Sequence, residues 1–165
     1  MQVVSNLRRW MREMAWRIDQ TKLSRDSSGH GGTSYAEIPD FHFETSLEHV
    51  SLLEDVAERL FNLIHAKDTA NIHVKWCIEF CDADDETFVF DIFCGQSAKL
   101  FLDAAALYRC MSEQLGWSEE KFFDQYKAMM REGVERLEAI QADRAASRAA
   151  FHQELFGDLT ERQNS

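Results

Sequence analysis

The stretch from Asn71 to Cys94, NIHVKWCIEFCDADDETFVFDIFC, constrains the fold of this chain more than any other. Two apolar runs alternate within it, Ile72-Val74-Trp76-Ile78-Phe80 and Phe88-Phe90-Ile92. Between them Asp82, Asp84, Asp85 and Glu86 bring four carboxylates into five residues. Alternation with period two, in aromatic and β-branched residues, is the pattern of a half-buried strand. It predicts an antiparallel hairpin, 72–81 paired with 87–94, closed by the acidic turn. The opposite face of the first strand (His73, Lys75, Cys77, Glu79, Cys81) is mixed, so helices are expected on one side of the sheet only. Residues 40–44, after Pro39, are a candidate short edge strand, where a proline is tolerated. The expected class is α+β: a small antiparallel sheet covered on one face by about four helices.

The remaining segments carry helical periodicity. Val3, Leu7, Trp10/Met11, Met14 and Ile18 recur at three- and four-residue steps and predict an amphipathic helix within residues 1–20. Residues 24–34, SRDSSGHGGTS, are small and polar and predict a flexible loop, with His30 solvated. Thr45 to Glu48 fits a capping box opening a helix to about Ala66. Gln96 or Ser97 starts a third helix that Gly116 ends. Ser118, Glu119 and Glu120 begin a last helix, bending near Gly133 and stopping at Gly157. Residues 1–157 are thus expected to form one globular domain, with 158–165 a disordered tail. At 165 residues such a chain buries enough surface to fold without disulfide or metal.

Charge narrows the partners. The net charge is −11, yet residues 1–25 are net +4, which leaves −15 on the other 140. An acidic body repels nucleic acid and anionic membrane and attracts basic protein surfaces. The basic first helix either packs on the core or docks a partner or second copy, with Trp10, Met14 and Trp16 as its contact residues; a membrane-surface role conflicts with the acidic body. No secretory signal or bilayer-spanning run is read, and four cysteines without such a signal point to a cytoplasmic compartment with free thiols.

Candidate chemistry is sparse. His73, Cys77, Cys81 and Cys94 contain zinc-ligand types, but same-face residues of a strand stand about 6.5–7 Å apart, too extended for one tetrahedral site. Cys94, before Gly95-Gln96-Ser97 at a strand-to-helix junction, is the best-placed thiol nucleophile, with His42, His49, His65 or His73 as its base. Glu79 and Asp91 on adjacent strands are an alternative carboxylate pair. The 82–86 run lacks the glycine and spacing of a calcium loop. No metal and no cofactor are expected.

The leading expectation is therefore a non-catalytic, acidic protein-binding module of inhibitor, immunity or anti-defence type. It would occlude a basic surface of a partner protein, including one that normally holds nucleic acid, without touching nucleic acid itself. The expected contact residues are Asp82, Asp84, Asp85 and Glu86 at the tip, Glu48, Asp55 and Glu58 on one helix, and Glu132, Glu135 and Glu138 on another. Two alternatives stand beside it: a small cytosolic enzyme using Cys94 or the carboxylate pair, and an adaptor that assembles, as a homodimer among other forms, through its N-terminal helix.

Overall fold

The computed structural model describes residues 2–28, 37–41, 54–80, 86–116 and 122–163. They form four helices: α1 (Gln2–Ser28), α2 (Glu54–Phe80), α3 (Glu86–Gln114) and α4 (Phe122–Gln163). Helix α3 is the hub. It packs on each of the other three, most extensively on α4. The short connections 81–85 and 115–121 make α2 and α4 each antiparallel to α3.

There is no strand among the described residues, and this overturns the α+β expectation and its hairpin. The alternation in 72–80 is two helical stripes superimposed. Leu60, Leu63, Ala70, Val74 and Cys77 form the buried side of α2, while Ile72, Trp76 and Phe80, at four-residue steps, line the opposite, exposed side. The second run fails as a half-buried strand for another reason. Val89, Phe90, Ile92, Phe93 and Cys94 are all buried, because a helix with neighbours on three sides is apolar almost all round. The expected edge strand 40–44 is irregular at Asp40 and Phe41, and its remaining residues lie outside the described ones.

Other boundaries move as well. Helix α1 continues through 24–28, where a loop was expected, and α4 passes through both Gly133 and Gly157 to reach Gln163, into the expected disordered tail. The expected capping box at Thr45–Glu48 lies outside the described residues. Gly116 does end α3: its φ is +67° and its N–H donates to the Glu113 carbonyl at 3.1 Å.

Helix α1 buries Val3, Leu7, Met11, Met14 and Ile18 against the hub. The irregular segment Glu37–Phe41 is fastened to α1 and α2. Trp10 Nε1–H donates to the Pro39 carbonyl (2.7 Å), and Arg17 donates to the Glu37 carbonyl (2.6 Å). The Asn71 side chain bonds both the N–H and the carbonyl of Ile38, at 3.2 and 3.4 Å. Lys67, nearly buried, reaches Asp40 (3.2 Å) and Asp68 (3.0 Å). Burial opposes the charge on Lys67, but the two carboxylates outweigh it and raise its pKa.

Where α3 crosses α4 the backbones nearly touch. A Cβ placed on Gly95 would lie 2.5 Å from the Leu137 Cβ and 3.0 Å from the Gly133 carbonyl oxygen. A Cβ on Gly133 would lie 3.0 Å from the Ala98 Cβ. Gly133 therefore permits close packing, within a helix that continues uninterrupted through it. From this crossing the register runs both ways, with Phe123 against Tyr108 and Phe101 at one end, and Arg136 near Asp91 and Arg144 over Phe88 at the other.

Candidate interaction surface

Among the described residues, the outward face of α2 carries the most distinctive surface. Ile72, Trp76 and Phe80 are 70%, 52% and 68% exposed. Four-residue steps place these side chains one above another on a helix. The Trp76 and Phe80 rings touch, with centroids 5.4 Å apart. Each such side chain would gain about 1.5–3 kcal/mol if fully covered, so a contiguous exposed row marks a contact surface better than scattered apolar residues do. Glu79, also exposed, flanks the row.

Charge is distributed in a way that bears on this face. The four helices contain 17 of the 18 Lys/Arg and 20 of the 29 Asp/Glu, a net of −3. The segments between them hold the other nine acids (Glu37, Asp40, Glu44, Glu48, Asp82, Asp84, Asp85, Glu119, Glu120) and a single base, Lys121, a net of −8. Three of those acids, Asp82, Asp84 and Asp85, lie within five residues of Phe80 in sequence.

The expected contact residues fall into separate places. Asp82, Asp84, Asp85 and Glu48 lie outside the described residues, and Glu86 is the first residue of α3. Asp55 and Glu58 are exposed in the first turns of α2. Glu132, Glu135 and Glu138 are exposed on α4 but alternate with bases: Arg136 pairs with Glu132 at 2.7 Å, and Arg131 is exposed beside them. That row is not a continuous acidic strip. Of the expected oligomerisation residues, Trp10 and Met14 are interior and Trp16 is on the surface.

The thiol and carboxylate candidates change character once the sheet is gone. Cys94 lies in the third turn of α3, buried beneath α4, and not at a helix start where the terminal dipole would favour a thiolate. His73 bonds Gln96 through Nδ1 at 3.1 Å, His65 is exposed on α2, and His42 and His49 lie outside the described residues. Glu79 points outward from α2 whereas Asp91 sits beside Arg136 on α3, so they are not a strand-borne pair. Among the described residues no three His, Cys, Asp or Glu side chains come together as metal ligands, and no helix is long and apolar enough to cross a membrane.

Sequence reasoning missed a groove of about 440 Å3 between α2 and α3, where Arg59, Lys99, Asn62 and Asp103 surround Leu63 and Leu107. Asp103 keeps an exposed side, and its partial burial beside these apolar walls raises its pKa, with Lys99 pulling it partly back. Both stretches were expected as helices, but only the pairing of α2 with α3 unites these residues, and no local pattern displays that pairing. No protein-family model matches the chain, and no curated protein or solved structure matches it either.

Proposed function

We propose that this protein is a non-catalytic, acidic protein-binding module that acts in the cytoplasm by covering a basic surface of a partner protein. The observation that carries this reading is the exposed Ile72–Trp76–Phe80 row, which runs in sequence straight into Asp82, Asp84, Asp85 and Glu86. The division of labour follows from physics. Desolvation of large aromatic side chains supplies affinity, because anchors of this type dominate interface energetics. Neighbouring carboxylates steer a cationic partner and select against acidic ones. The matching partner surface is an apolar depression rimmed by Lys or Arg, which suits an inhibitor or immunity-type protein occluding a nucleic-acid-binding site.

The test is a salt-stepped pull-down from the native lysate with wild type, Trp76→Ala and an Asp82/Asp84/Asp85→Asn triple variant. A partner retained by wild type, weakened by either variant and displaced by added nucleic acid supports the reading. A partner held equally by all three proteins would remove this face as the contact.

A further inference from the structure

The α2–α3 interface is bridged at one level and open at another. Gln96 of α3 reaches the Nδ1 of His73 on α2 at 3.1 Å. Two turns away, back along α2 from 73 to 66 and forward along α3 from 96 to 103, Ala66 comes level with Asp103. Here the helices leave the groove of about 440 Å3, a size that suits a small molecule. Its floor is Leu63 and Leu107, both buried. Its sides recede at Ala66 and Ala106, whose small side chains leave the space that larger ones would fill. Among the described residues no aromatic ring lines it.

The rim is polar, and its bonding groups are open. Arg59 and Asn62 border the groove on α2, Lys99 and Asp103 on α3, and none of the four makes a hydrogen bond or close ion pair with a described residue. By contrast Arg17, Lys67, Lys127 and Arg136 each hold a carboxylate. In a chain of net charge −11, two unpaired cations facing one apolar groove are a pronounced local reversal of sign. Asp103, one turn from Lys99 on the same helix, offsets one of the two, which leaves the groove net positive by a single charge.

That balance selects the ligand. A guanidinium offers a planar fork that a carboxylate fits in two hydrogen bonds. A carboxylate brings one negative charge, whereas a phosphate monoester brings nearly two and exceeds what the groove neutralises. Aliphatic walls without a ring to stack on suit a chain of methylenes.

We propose that the α2–α3 groove binds a small aliphatic carboxylate, its head group on Arg59 and Lys99 and its chain over Leu63, Ala66, Ala106 and Leu107. The site lies on the first half of α2 and is separate from the Ile72–Trp76–Phe80 row on the second half.

Titration of octanoate into the full chain, followed by heteronuclear NMR, tests this. Octanoate should bind with a Kd of about 1 mM, with the largest shifts at Ala66, Lys99, Asp103 and Ala106. The uncharged octanamide should bind about tenfold more weakly. Arg59→Gln should weaken octanoate by about tenfold and leave octanamide unchanged. Asp103→Asn should strengthen octanoate by about threefold, because a repelling carboxylate is gone. Ala106→Phe should abolish binding by filling the groove. These three positions are exposed, and circular dichroism checks that each variant is folded. Trp76→Ala should leave octanoate binding unchanged, which separates this site from the α2 row. Octanoate that fails to bind, binds no better than octanamide, or tolerates Ala106→Phe overturns the proposal. Weakening by Asp103→Asn overturns it equally.

Discussion

Replacing Gly95 with alanine tests the α3–α4 crossing most directly. The added Cβ would meet the Leu137 Cβ at 2.5 Å and the Gly133 carbonyl oxygen at 3.0 Å. Carbon atoms in ordinary contact stand about 3.5–4.0 Å apart, so the helices must separate by about 1 Å. Both obstacles are a Cβ or a backbone atom, which no rotamer change can move aside. Separation loosens Phe93, Cys94 and Ala98, all buried there. Overpacking of this kind costs about 1–3 kcal/mol, and more when backbones must part. Alanine recovers about 1 kcal/mol of helix propensity over glycine; with neither obstacle able to move aside the cost lies at the upper end, so the net loss expected is about 2 kcal/mol. Gly133→Ala is the internal control: its nearest neighbour is the Ala98 Cβ at 3.0 Å and its next the Cys94 carbonyl oxygen at 3.4 Å, so propensity and crowding roughly cancel. Urea unfolding followed by far-ultraviolet circular dichroism, with the two variants side by side, reads the difference. A Gly95→Ala protein as stable as wild type, or more so, would refute the close crossing and the register built on it.

Three further outcomes follow from named contacts. Trp76→Ala and Phe80→Ala should change stability by no more than about 0.5 kcal/mol, since both side chains are largely exposed, while weakening partner binding; thermal melts beside the pull-down separate the two effects. Asn71→Ala should destabilise by about 1–2 kcal/mol, because it removes both bonds to the Ile38 backbone, and hydrogen exchange should report the loss at Ile38 before the helices. Asp103 has its pKa raised by burial, so the folded state holds its proton more tightly than the unfolded state, and stability falls as pH rises from the ordinary value of 3.8 through the folded one. Asp103→Asn should therefore be more stable than wild type near neutral pH, with the advantage vanishing below pH 3.8; an equal difference at both ends would refute the assignment.

How much of this was legible in the sequence depended on how many neighbours each helix has. Helix α1 has one apolar side, and its stripe from Val3 to Ile18 could be read directly. Helix α3 is the hub, so burial on several sides erased its period and left VFDIFC looking like a strand. Helix α2 is apolar on two opposite sides, one toward the core and one toward solvent, and two stripes half a turn apart mimic alternation. The longer span of 54–80 without a glycine or proline was the signal against a hairpin there, because strands rarely exceed ten residues. Gly95 and Gly133 were legible as glycines but not as a contact, since their role exists only once two helices have been paired.

The same error concealed the candidate surface and, once corrected, gives it meaning. As a strand, Ile72, Trp76 and Phe80 would have been covered by helices and unavailable to any partner. As the outer stripe of α2 they are exposed, although nothing in the fold needs them there: the inner stripe, Val74 and Cys77 with Leu60 and Leu63, already anchors the helix. Exposed tryptophan and phenylalanine lower solubility unless something is gained by displaying them. The charge distribution sharpens the point. If acidity served only to keep the chain in solution, it would be spread over the long helical surfaces, yet those carry a net of −3 and the connections −8. Aromatic side chains at the end of one helix, followed at once by the acidic run Asp82–Glu86, are the combination that a basic-rimmed apolar partner surface would select.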